Sequence, residues 1–237
     1  MCNNYTTAQA SLLHELASFS STAPYPPEAW PAYDAPMILL DQGGGLECVP
    51  AKFGFAPPGY AKPGMPNPVN VRAEEVTEKP MFAAYWRRCQ FCIVPAEAVF
   101  EPCWETGRNV RHRIWLKNEP VFGIAGLWRE WKSPTSGPPV TGFAMFTVNA
   151  ENHAIFKRMH APKERDGSPK EKRGVVMLTK DRWADWLSCK DPDTARTFLH
   201  LYPAELMDCE PAPLAPRTKS ARGPASKPRP AASGDLF

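Results

Sequence analysis

No run of residues in this sequence is apolar for long enough to cross a bilayer, because Pro, Gly or a charged residue interrupts each such stretch within a few positions. A membrane partner is therefore not expected. Net charge is also scarce, at a formal +3 from 28 basic and 25 acidic residues, so any contact with nucleic acid has to come from a local patch. Even that excess sits at one end, where residues 211–237 carry Arg217, Lys219, Arg222, Lys227 and Arg229 against the single acid Asp235. The seven cysteines are odd in number and irregularly spaced, and no apolar leader-like segment is present, which argues against a secreted disulfide framework. A soluble protein of the reducing cytoplasm is expected, nucleoid-associated when bound to DNA. No internal repeat is present.

What the sequence does hold is enough apolar residues, 43% of 237, for one sizeable core. From residue 210 onward Pro, Ala, Ser, Lys and Arg dominate, so a folded domain over 1–209 and a disordered tail over 210–237 are expected. Helical periodicity appears at 7–20, with Leu12, Leu13, Leu16 and Phe19 in phase and Thr6 or Thr7 as cap, and again at 74–87, 180–188 and 192–201. Short strand-like runs occur at 37–40, 91–94, 113–116, 121–125 and 143–148. The prolines at 24, 26, 27, 31 and 36 mark the intervening stretch as an ordered loop. This pattern is α+β.

The second residue is the most informative one. Met1 precedes Cys2, and once Met1 is removed the chain begins with an amine and a thiol on one carbon framework. Reference pKa values of about 7.7 and 8.5 give both groups reactive populations near neutrality. The amine condenses with an aldehyde to an imine, and the thiol then closes a five-membered thiazolidine, which an internal cysteine cannot do.

Four further segments accompany the MCNNY start: NPVNVRAEE at 67–75, RRCQFCIVPAEAVFE at 87–101, GIAGLWREW at 123–131 and TVNAENHAIFKRMH at 147–160. In order and spacing over about residues 1–187 they resemble the SRAP family (SOS response-associated peptidase), whose members crosslink themselves to abasic sites. The matching positions are Cys2, then Asn70, Arg72 and Glu74, then Arg87, Arg88, Cys89 and Glu101, then Gly126, Leu127 and Trp128, then His160. Two departures stand out. Asn3 and Asn4 replace the Gly-Arg that often follows the cysteine, and Phe53 stands where a tryptophan is common, leaving Tyr60 to stack on a base.

The resemblance implies a single domain with a mainly antiparallel, barrel-like β core flanked by short helices. It implies covalent capture of abasic sites in single-stranded DNA through a Cys2 thiazolidine, self-processing that removes Met1, and neither metal nor cofactor. Cys2, Asn70, Glu101 and His160 would carry the chemistry: Asn70 orients the aminothiol, Glu101 shuttles protons, and His160 opens the sugar ring. His153 competes with His160 for that last role. Arg72, Arg87, Arg88 and Thr147 would hold phosphates while Tyr60 stacks, and the chain is expected to act as a monomer.

Two other classes of function share these residues. One is an N-terminal-cysteine amidohydrolase or peptidase, in which the Cys2 thiolate attacks an amide. The other is a non-catalytic single-strand binder, which Trp86, Trp104, Trp128 and Trp131 beside the arginines would suit. The Cys89-x-x-Cys92 spacing with Cys103 nearby has the form of a zinc or redox half-site, but its strand-forming surroundings favour cysteines buried in strands. Asp235, Leu236 and Phe237, ending a basic tether, are similar to short peptides that dock bacterial sliding clamps.

Overall fold

In the computed structural model, which describes residues 2–20, 24–57, 67–132, 137, 139–164 and 166–214, the apolar run at 91–94 sends alternate side chains into two different cores. Cys92 and Val94 join one buried cluster, and Phe91 and Ile93 join the other. A strand covered on both faces needs no polar alternation, which is why these segments read as continuous apolar runs.

Thirteen strands are described: β1 (Tyr5–Thr7), β2 (Ser18–Phe19), β3 (Glu28–Ala29), β4 (Asp34–Leu40), β5 (Leu46–Phe53), β6 (Asn70–Arg72), β7 (Phe91–Cys103), β8 (Val110–Leu116), β9 (Phe122–Trp131), β10 (Val140–Asn149), β11 (Arg173–Val175), β12 (Met177–Leu178) and β13 (Met207–Pro211). Four short helices accompany them: α1 (Ala10–His14), α2 (Pro80–Arg87), α3 (Trp183–Ser188) and α4 (Pro192–Arg196). The fold is α+β.

Five strands close on themselves in the cycle β4-β5-β10-β9-β7-β4. All pairs in the cycle are antiparallel except β10 with β5. The β4–β5 turn is built on Asp41, whose Oδ1 accepts from the backbone N–H of Gly43 at 2.7 Å and of Gly45 at 2.9 Å, while Gly44 takes φ 83°. One cluster fills the barrel with Tyr5, Met37, Phe53, Phe122, Phe143 and Met145. The other lies outside it, under α2 and α3, where Trp186 stacks on Phe91 at 4.2 Å and donates from Nε1 to the Cys92 carbonyl at 2.9 Å.

Several elements differ from the sequence expectation. The helix expected over 7–20 is only the five residues of α1, because β1 pairs with β7 and β3 and β2 pairs with β5; Thr7 is no cap and donates its hydroxyl to the Pro26 carbonyl. The helix expected from 74 starts at Pro80, whose ring disfavours helical geometry in the residue before it and suits the first helical position. The helix expected over 192–201 gives way to turns beyond 196. The proline-rich stretch is not loop throughout, since it contains β3 and the start of β4, where Pro36 sits opposite Pro50 of β5. Trp86 and Trp131 are buried, so they offer no nucleic-acid surface. Cys89 lies in the turn before β7 with φ 51°, while Cys92 and Cys103 are strand residues.

The expected boundary at 209/210 falls inside β13, which pairs with β8 as far as Pro211, and the Ala212 N–H bonds to the Arg111 carbonyl at 2.8 Å. Tyr60 and residues 215–237 of the expected tail, with Asp235, Leu236 and Phe237, lie outside the described residues. Among the described residues no helix is long and apolar enough to cross a membrane.

Candidate active site

β1 inserts between β7 and β3, and this fixes the residues before it. The Phe100 N–H donates to the Asn4 carbonyl at 3.0 Å, extending the β1–β7 ladder toward the chain start. Cys2 is thereby packed into the barrel-facing cluster with 1% of its surface exposed, its thiol 3.5 Å from the Asn4 carbonyl. Burial first, and then the nearby Glu101 carboxylate, push the Cys2 thiol well above its ordinary range.

Three other sequence-derived residues converge there. Asn70 opens β6, which runs parallel to β10, and its Nδ2 donates to the Cys2 carbonyl at 2.7 Å. Its Oδ1 is buried without a hydrogen-bond partner among the described residues. Glu101, on β7, is 2% exposed, and its Oε2 lies 2.8 Å from Nε2 of His160. An ionised carboxylate only accepts, so in that state the His160 Nε2 carries the proton between them.

His160 is placed by its backbone. Met159 bridges to Cys103, the His160 N–H donates to the Pro102 carbonyl, and the residue takes φ 63°. Lys172 stabilises this left-handed turn by donating to the carbonyls of Met159, His160 and Ala161 at 2.7, 2.8 and 3.2 Å. Its burial pushes the Lys172 ammonium below its ordinary range.

His153 has a different position. Its Nδ1 accepts from the backbone N–H groups of Ile155 and Phe156, and its Nε2 lies 3.0 Å from the Tyr202 carbonyl. Those bonds define the tautomer with the proton on Nε2 and make His153 a brace for the turn leading to His160.

A groove of about 670 Å³ opens onto these groups, lined among others by Asn3, Asn70, Arg72, His160, Glu171 and Arg173. Its charges are largely compensated. Arg72 meets Glu75 at 3.2 Å and Glu171 at 2.8 Å, and the buried Arg173 pairs with Glu74 and Glu171. Arg87 ends α2 and Arg88 caps it; both are exposed, and neither is among the residues lining this groove. Thr147, read as a phosphate contact, is fully enclosed in this structure, with its hydroxyl 3.4 Å from the Val71 carbonyl and its own carbonyl accepting from Arg173.

A basic group lies against Asn4 from another strand. Arg111 of β8 donates to Asn4 Oδ1 at 2.7 Å and to Glu28 at 2.8 Å, with its guanidinium 3.4 Å above the Phe100 ring. Sequence reading missed Arg111, Lys172 and Arg173. The one signal in the sequence for the last two is the alternating charge of Glu171-Lys172-Arg173, which leads into β11.

The family model described as SOS response associated peptidase (SRAP) matches residues 1–214. The chain is 28% identical over 184 residues to the abasic site processing protein YoqW of Bacillus subtilis, covering 73% of this chain and 72% of that protein. It is 29% identical over 187 residues to the abasic site processing protein YoaM of the same organism, covering 73% and 71%. Among solved structures, a Bordetella bronchiseptica protein superposes with a TM-score of 0.78 at 28% identity, over 90% of this chain and all 100% of the other. A Bacteroides thetaiotaomicron protein gives 0.67 at 20% identity, over 88% and 90%, and shares the fold.

Proposed function

The chain belongs to the SOS response associated peptidase family, and from that membership we propose that it processes abasic sites in DNA by capturing them covalently through the aminothiol of Cys2. The observation that carries this reading is the cluster in which Cys2 is bonded to Asn70 and Glu101 to His160, with Asn70 and His160 lining one groove and Cys2 and Glu101 buried behind them. The relatives YoqW and YoaM bear abasic site processing in their names, which supports the same substrate here.

Removal of Met1 exposes the Cys2 amine, a step we assign to the chain itself. An abasic deoxyribose rests mostly as a closed hemiacetal, so capture begins when His160 protonates the ring oxygen and the aldehyde opens. The amine attacks that carbon to give a carbinolamine; Asn70, already bonded to the Cys2 carbonyl, has its Oδ1 available to accept from the amine. Loss of water, with a proton delivered through the Glu101–His160 pair, gives the imine. The thiol then adds to the imine carbon, its proton passes to nitrogen, and the thiazolidine closes with one water released overall.

The raised Cys2 thiol suits an order in which the amine attacks first and the sulfur adds last, to an imine carbon more electrophilic than an amide carbonyl. Arg72 would position the strand by a phosphate contact, and a single strand suits a site that must receive the sugar out of the stack. Arg87 and Arg88, if they contact DNA, do so beyond the groove.

The test is incubation of the purified chain with a single strand bearing one abasic site, followed by denaturing electrophoresis and intact mass. A shifted band, absent with Cys2→Ala, on protein that lacks Met1 is the expected result. Adducts formed by protein that retains Met1, or undiminished in Cys2→Ala, would refute the aminothiol mechanism.

A further inference from the structure

One carboxylate in the groove is seated between two guanidinium groups. Glu171 places Oε2 at 2.8 Å from Nη1 of Arg72 and Oε1 at 2.7 Å from Nη1 of Arg173. Arg173 cannot move to meet a ligand: its side chain is 2% exposed and is also held by Glu74 and by the Thr147 carbonyl at 2.6 Å. Glu171 can, because its side chain is 31% exposed and its remaining contact is Asn149 at 3.4 Å. All three groups line the groove that contains Asn70 and His160. A carboxylate with one oxygen on each of two arginines has the charge and the paired acceptor geometry of a phosphodiester.

We propose that Glu171 occupies the seat of a DNA-backbone phosphate between Arg72 and Arg173, and that it must swing out before a strand can dock beside Cys2. The inference rests on the reading of this groove as a DNA site. Burial alone would raise the Glu171 carboxyl, but the hydrogen bond and charge of Arg173, with the charge of Arg72, outweigh it and hold the group below its ordinary range. The carboxylate therefore stays charged and in competition near neutral pH. Its consequence is selectivity for the lesion. An intact strand has to displace Glu171 using phosphate contacts alone and is held weakly, whereas an abasic strand that displaces it even briefly is retained by the covalent bond.

Glu164 supplies the control. It lines the same groove and pairs with Lys170 at 3.2 Å, so Glu164→Gln removes the same charge from the groove without freeing either arginine. The measurement is fluorescence anisotropy of a labelled single strand that lacks a lesion, titrated with the full chain at low and near-physiological salt. Glu171→Gln is expected to bind about fivefold tighter than the parent, the scale of a partly exposed ion pair released from competition. That gain should narrow as salt screens the pair, should be absent in Glu164→Gln, and should vanish in the Arg72→Gln background. Glu171→Asp, whose shorter carboxylate cannot bridge both arginines, should show part of the gain, and melting curves check that each variant is folded. If Glu171→Gln binds no better than the parent while Arg72→Gln weakens binding and abasic strands are still captured, the inference falls and the DNA reading stands. An equal gain in Glu164→Gln overturns it in favour of groove charge alone. If no variant binds or captures a strand, both fall.

Discussion

At the scale of single residues, His160 and its competitor His153 have opposite surroundings. His153 spends both ring nitrogens on backbone groups, while His160 directs Nε2 at a buried carboxylate. His153→Ala is expected to cost about 1–2 kcal/mol of stability by leaving backbone donors unpaired, seen as a lower melting temperature, with adduct formation by the folded protein retained. Lys172 acts one step removed, as a positioning residue for His160. Lys172→Met should slow adduct formation about tenfold or more by loosening a turn whose geometry the proton transfer needs. Lys172→Arg should recover part of the rate, and anisotropy with an intact strand should be unchanged. Equal rates for the Met variant and the parent would show that the turn stands without its lysine.

At the scale of elements, the barrel closes where β10 meets β5, and glycine is required there. A Cβ on Gly142 would overlap the Gly54 carbonyl and the Trp131 ring, neither of which can retreat without parting the strands. Gly142→Ala is expected to destabilise by about 3 kcal/mol or more, read from denaturant unfolding. The strands at 37–40, 91–94, 113–116, 121–125 and 143–148 were legible because β-branched and aromatic runs declare themselves. β5 was not, because Pro50 and the charges of Glu47 and Lys52 hide a half-buried alternation. The grouping of Cys2, Asn70, Glu101 and His160 was legible through motif order, while the enclosure of Thr147 was not, because a sequence motif carries no information about which way a strand residue faces. Arg111 escaped notice because its partners, Asn4 and Glu28, are remote in sequence and meet it only when β8 pairs with β7 and β1 with β3.

At the scale of the whole molecule, the groove's ion pairs link stability to pH. The hydrogen bond from Arg173 holds the Glu74 carboxyl below its ordinary range, and Glu171 is likewise lowered. The unfolded chain therefore takes up protons at higher pH than the native one. The contribution is complete above the unfolded carboxylate value of about 4.3 and is lost as pH falls through the native value. Melting temperature should drop as pH is lowered from 5 toward about 3, and Glu74→Gln should flatten that drop while lowering the neutral-pH midpoint. An unchanged slope in the variant would remove Glu74 from the linkage.

Arg111 also bonds to the carbonyl of Ala212, just past β13, with the same side chain that anchors Asn4 two residues from Cys2. An unfolding motor that gripped the carboxyl end would peel β13 from β8 first and in doing so would pull on the side chain that holds Asn4. If Cys2 carries an adduct as proposed, disassembly from that end would loosen it early, and the adduct would become accessible to solvent before most of the barrel had opened.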